Sequence, residues 1–248
     1  MIPKMIHYCW FGGNPLPADA KRCIESWERF FPEYEIKEWN ERNFDINCCD
    51  YVKEAYAAKK WAFVSDYARF WVLYHEGGLY FDTDVEVIKD MSDIIERGSF
   101  MGCEIDNHCI HGLGVNPGLG LGASPGLCLY KEILDYYERL HFFSGENITE
   151  TVVTHTSQIL RSHGWIGNGK IEQIADVTIY PPEYFCPMDY KTGKLDITPN
   201  TRSIHWYTAS WQSSYSKAKT KLQQLLGPFL TSEIINLKKK FKSFIHGK

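Results

Sequence analysis

Two aspartates one residue apart, Asp82 and Asp84, follow a long stretch of apolar scaffold. Paired carboxylates suit a hard divalent cation and, through it, a phosphorylated ligand. Upstream, Asp66 and Arg69 interrupt the aromatic run 61–75 and stand three residues apart, on one face if that run is helical. Charges inside such a run are expensive to bury unless paired or used, and these two could simply pair with one another. Gly77-Gly78 reads as a helix C-cap, and Leu79-Tyr80-Phe81 as a short buried strand. The acids then lie at that strand's carboxyl end, where ligands gather in open α/β sheets. A solvated strand end is the other reading of the pair.

Three further stretches carry polar chemistry. Trp10 precedes Phe11-Gly12-Gly13 at the end of a first strand, placed to stack on a base or to fill the core. Residues 203–211 combine His205, three aromatics and hydroxyls at a strand end; His205 matters if it reaches the aspartates. Glu104, Asp106, His108 and His111 come close together but match no standard metal motif. The glycines from Gly118 to Gly122 fit either a close backbone approach to a ligand or a tight strand.

The elements that must position these residues alternate. Strands are expected at 2–10, 34–39, 79–81, 85–88, 100–103 and 177–180. Helices are expected from Pro17 to about residue 31, at 51–59, 61–75, 127–142 and 148–163, with Thr149 or Thr151 near the last N-terminus. Residues 104–126 and 183–203 read as loop. The order points to an α/β sheet with parallel strands.

The 248 residues, 44% hydrophobic, are enough for one large domain. Residues 217–248 hold eight Lys against the single acid Glu233, so the rest of the chain is strongly acidic. An acidic body argues against nucleic acid as a partner. Leu230, Ile234, Leu237, Phe241 and Phe244 recur at helical spacing among lysines. Such a basic helix can lie on anionic lipid or dock on the body with a solvated Lys face. Eight cysteines without a Cys-x-x-Cys pair, and no secretory signal, read as buried thiols in a reducing compartment. No apolar run reaches the ~18 residues of a membrane span. The expectation is a cytoplasmic protein, peripheral at the inner membrane face through residues 228–248.

The residues 2–13, Ser65-Asp66-Tyr67-Ala68-Arg69 with Gly77-Gly78-Leu79-Tyr80-Phe81-Asp82-Thr83-Asp84, and His205 through Ser210-Trp211 resemble the DXD sugar transferases of glycosyltransferase family 32. That family includes capsular-polysaccharide transferases and yeast-type mannosyltransferases. More distantly the chain is similar to the catalytic domain of the large glucosylating bacterial toxins. The resemblance implies a GT-A fold, Rossmann-like, over residues 1–212 and leaves uncovered the segment 213–248, expected from its spacing to be a basic amphipathic helical tail. It implies a nucleotide-sugar donor, with a UDP-hexose (galactose or glucose) ahead of GDP-mannose, and a Mn2+ or Mg2+ cofactor. Trp10 would stack on the base, and Asp66 and Arg69 would hold the donor sugar. Asp82 would reach the ribose or, through water, the metal. Asp84 and His205 would be metal ligands, and Ser210 and Trp211 would close on the diphosphate. The toxins carry an acidic residue where His205 stands. The acceptor would be a glycan or lipid-linked oligosaccharide, and transfer would proceed with retention.

Two other readings stay open. The apolar-Asp-x-Asp pattern also occurs in aspartyl-phosphate phosphatases, with the first Asp as nucleophile. A non-catalytic nucleotide-sugar-binding or membrane-scaffold protein would keep the metal site without turnover.

Overall fold

The computed structural model describes residues 1–106, 109, 112–142, 150–190 and 192–208. The main unit comprises Met1–Pro187 and Ile197–Trp206. A second comprises Met188–Asp196 and the residues from Tyr207; in it Met188 bridges Leu195, and the Tyr190 and Tyr207 rings lie 5.0 Å apart. The proposed boundary at 212 and the basic tail lie outside the described residues.

The chain opens with β1 (Met5–Cys9), α1 (Ala18–Phe30), β2 (Glu35–Trp39), α2 (Asp50–Ala57), α3 (Trp61–His75), β3 (Gly78–Tyr80) and β4 (Val85–Val87). It continues through α4 (Ser92–Ile95), β5 (Phe100–Ile105), β6 (Leu113–Val115), β7 (Leu121–Ala123), α5 (Cys128–Tyr137), α6 (Val152–Ser162), β8 (Glu172–Ile174), β9 (Val177–Tyr180), α7 (Pro182–Phe185) and β10 (Ser203–His205). The main sheet runs β2-β1-β3-β7-β5-β9-β8, with β6 paired to β5. β10 and β4 form a separate antiparallel pair.

The expected parallel strands are present, within a sheet that is mixed. β1 is parallel to β2 and β3, and β5 to β9, but β7 runs antiparallel between β3 and β5. β6 and β7 also fall where a loop was expected. Each is three residues with a central glycine, too short to show a period. A Cβ on Gly122 would collide with the Phe100 ring of β5, and one on Gly114 with Val153 of α6, so one glycine serves close packing within the sheet and the other close packing of a helix onto it. The cysteine expectation is corrected in part: Cys9, Cys23, Cys103 and Cys186 are buried, but Cys48 and Cys128 are exposed.

α3 lies in the core because it is apolar almost all round; it packs on α2, α5, β1 and β3. Gly77 (φ +68°) ends it, its N–H donating to Leu73 O at 3.0 Å, and Gly78 (φ +100°) starts β3. His7 in β1 fixes this junction. The Trp39 indole donates to His7 Nδ1 at 3.0 Å, which leaves Nε2–H to donate to Gly77 O at 2.9 Å. On α1, Trp27 Nε1 donates to Val85 O (2.8 Å) and Ser26 Oγ accepts from Val87 N (2.9 Å), so this helix anchors β4.

Burial pushes the His7 imidazole down to about 4, against an ordinary value of 6.5. The folded chain therefore holds His7 neutral while the unfolded chain protonates it. The resulting stability is complete above pH 6.5 and drains away as pH falls towards 4, by up to about 1.4 kcal/mol per pH unit. Urea unfolding across that window should show a shallower slope in His7→Gln; equal slopes would refute the assignment.

Candidate functional site

Asp82 and Asp84 sit on one tight turn joining β3 to β4, closed by the Val85 N–H on Asp82 O at 3.0 Å. The two acids have different neighbours. Asp82 Oδ1 accepts from Tyr80 Oη at 2.8 Å, and its carboxylate faces Arg69 at 3.3–3.4 Å. Arg69 Nη2 also meets Asp66 Oδ1 at 3.0 Å, and its Nε donates to Ser65 O at 3.0 Å. The guanidinium lies over the Tyr80 ring, 5.1 Å from its centroid. Arg69 and Asp66 are 3% and 6% exposed, so α3 carries a buried ion pair that reaches out to Asp82. Burial pushes the Asp66 carboxyl up to about 7; Arg69 opposes that shift, and Asp82 adds to it.

Asp84 faces His205, with Oδ1 and Nε2 3.2 Å apart. β10 delivers that imidazole: His205 pairs with Val85 across the β4 ladder, and Trp206 N donates to Asp84 O at 2.9 Å. Burial alone would strip the proton from His205, but Asp84 outweighs it and holds the ring protonated, well above the ordinary value. The side chains of Asp84 and His205 are 16% and 10% exposed.

Loop 116–120 closes over the turn. Asp82 N donates to Gly118 O at 3.1 Å, and a Cβ on Gly118 would collide with the Asp82 carboxylate. Asn116 Oδ1 accepts from Gly118 N at 2.7 Å, while its Nδ2 donates to Glu104 Oε2 at 2.8 Å. Close backbone approach is therefore the role of Gly118, towards an aspartate.

Asp66, Arg69 and Asp82 are thus brought together in one group, and Asp84 and His205 in another. Trp10 is half-buried beyond β1, its indole donating to Asn14 O at 2.6 Å. Ser210 and Trp211, and the His108 and His111 of the weak metal cluster, lie outside the described residues. Sequence reasoning missed Tyr80, Asn116 and Cys186 as site neighbours. Asn116-Pro117-Gly118 signalled only a turn, and nothing in the chain links Cys186 to His205, whose side chains the fold brings together.

The arrangement fits a divalent cation at Asp84 and His205. Two ligands each about 2.1 Å from an octahedral ion stand about 3.0 Å apart in adjacent positions, close to the observed 3.2 Å. A carboxylate oxygen with an imidazole nitrogen is a donor set such ions accept.

Residues 17–101, from α1 into β5, match the family model described as a glycosyltransferase sugar-binding region containing a DXD motif. Asp66, Arg69, Asp82 and Asp84 fall inside that span; Trp10 and His205 do not. An uncharacterized glycosyltransferase of Acanthamoeba polyphaga mimivirus is 28% identical over 106 residues, 40% of this chain. The chain spans 42% of that relative's length. Among solved structures, the PaToxG glycosyltransferase superposes with a TM-score of 0.50 at 16% identity, over 65% of this chain and 69% of that one. The fold is GT-A. A glycosyltransferase involved in glycosylation of the PBCV-1 major capsid is also similar, with a TM-score of 0.49 at 11% identity over 90% and 99% of the two chains. Within the GT-A frame, Asp82-Thr83-Asp84 is the DXD segment, on the turn that leaves β3.

Removing the Arg69 charge strands the buried Asp66 and takes the partner from the half-buried Asp82. Arg69→Met should lower stability by about 3–5 kcal/mol. Urea unfolding would show this, and a loss below about 1 kcal/mol would mean that the cluster does not depend on Arg69.

Proposed function

We propose that this protein is a metal-dependent glycosyltransferase that moves a hexose from a nucleotide-sugar to a hydroxyl of a glycan acceptor. The observation that carries the reading is the placement of Asp84 against His205, on a DXD turn inside the matched sugar-binding region. UDP-galactose or UDP-glucose is the donor favoured here, with GDP-mannose next.

Asp84 and His205 would hold the cation, Mn2+ or Mg2+, with Asp82 beside them. Such a cation, when bound, offsets the charge that builds on a leaving diphosphate. His205 would lose its Nε2 proton to solvent to serve as a ligand, with Asp84 staying ionised beside it. Arg69 and Asp66, at 3% and 6% exposure, act through Asp82: the guanidinium fixes its carboxylate, leaving the outer face for ribose or sugar hydroxyls. Trp10, half-buried at the end of β1, offers an indole face to the base. Ser210 and Trp211 follow β10 in the chain, and we assign them to closure over the diphosphate on the strength of the resemblance. Retention is likewise inferred from that resemblance.

The non-catalytic reading has the same residues and differs only in lacking turnover. Calorimetric titration with UDP and with GDP, each with and without Mn2+, separates the donors. UDP binding should require Mn2+ and vanish in Asp84→Ala, with the fold intact by circular dichroism. Metal-independent UDP binding, or full activity in Asp84→Ala, would sink the assignment. Nucleotide binding without sugar transfer or donor hydrolysis would favour the scaffold.

The acceptor is proposed to be a lipid-linked surface-polysaccharide intermediate, with the basic segment 228–248 lying on an anionic membrane at about 1 kcal/mol per lysine near the surface. Among the described residues no helix is long and apolar enough to cross a membrane. Deleting 228–248 should abolish flotation with anionic vesicles; unchanged flotation removes the membrane role.

A further inference from the structure

A second donor set shares His205. Glu104 in β5, Cys186 directly after α7 and His205 in β10 place a carboxylate oxygen, a sulfur and a ring nitrogen within 4.8 Å of one another. Ligand atoms around a tetrahedral ion stand about 3.4–3.8 Å apart, so side-chain shifts on the order of 1 Å would complete the geometry. Cys186 and His205 are buried, while Glu104 is half-buried and gives a cation its way in. Asn116 Nδ2, 2.8 Å from Glu104 Oε2, orients that carboxylate as outer partners of metal ligands do. A thiol changes the selectivity: oxygen ligands favour Mg2+ and Mn2+, whereas sulfur with imidazole favours Zn2+, Co2+ and Cd2+.

We infer that Glu104, Cys186 and His205 bind a thiophilic divalent cation of the zinc class, and that this cation competes for His205 with the hard cation held at Asp84. Binding releases two protons to solvent, one from the Cys186 thiol and one from the charged His205 ring, and leaves a thiolate–metal and an imidazole–metal bond; no electron moves. A cation taken by this set loads the same imidazole that stands 3.2 Å from Asp84. The competition rests on the proposed function, because it takes His205 as a ligand of the donor's cation. The thiolate site does not.

Co2+ is the probe, since a thiolate ligand gives it a charge-transfer band in the near ultraviolet. The test uses the full chain carrying Cys48→Ser, Cys49→Ser, Cys109→Ser and Cys128→Ser, which removes every thiol that is not buried. One equivalent of Co2+ should give the band, and Zn2+ should displace it. Cys186→Ser should abolish it, and Glu104→Gln should weaken Co2+ binding at least about tenfold. In the parent chain Zn2+ should suppress Mn2+-dependent UDP binding, and Cys186→Ser should raise the Zn2+ needed by about tenfold or more. No band in excess Co2+, or a band unchanged in Cys186→Ser, overturns the site. Should Cys186→Ser fail to fold, Glu104→Gln decides alone, and unchanged Co2+ affinity there overturns it equally. Loss of nucleotide binding with the band intact counts against the transferase reading only. Loss of the band with nucleotide binding intact counts against this site only.

Discussion

A guanidinium almost cut off from water, on a helix packed into the core, holds two carboxylates at once. Arg69 takes Asp66 from its own helix and Asp82 from the turn after β3. Both elements gain a fixed address from that sharing, because an unpaired charge at this depth would cost several kcal/mol. The geometry of the DXD turn therefore depends on α3 being seated, and α3 is seated by the aromatic residues around it. Apolar burial supplies the energy, and the ion cluster uses it to set the position of a polar group.

The two aspartates of the turn are held by opposite means. Asp82 is fixed by donors that stay in place, the Arg69 guanidinium, the Tyr80 hydroxyl and a backbone N–H. Asp84 is held by a partner that can lose its charge, the protonated imidazole of His205. One acid is thus a structural anchor with an exposed side, and the other is paired with a titratable ring. Asp66 sits at the other limit. It is buried enough that its carboxyl rises to about 7 even beside Arg69.

Much of this was legible in the chain. α3 spans the run expected for it, and β9 the expected four residues, because glycines, prolines and apolar blocks mark their ends. Asp66 and Arg69 on one helical face, and acids at the end of β3, followed from spacing alone. β7 was not legible, because Leu121-Gly122-Ala123 is too short to show a period and earns its place by letting the Phe100 ring lie flat against a glycine. Glu104 was visible only beside histidines of its own loop; its approach to Cys186 and His205 is made by the β5, α7 and β10 ends meeting in space. Contacts of that kind leave no local pattern.

The pairing of β10 with β4 has a temporal side. Asp84 and His205 are joined by a strand pair whose members are some hundred and twenty residues apart in the chain. During synthesis at about 5–20 residues per second, β4 leaves the ribosome roughly 6–24 s before β10 can reach it. For that interval residues 17–101, the span that matches the sugar-binding region, can form with Asp84 but without His205. A nascent or C-terminally truncated chain therefore carries the Asp82–Asp84 turn without the imidazole that faces it, and this strand pair closes late.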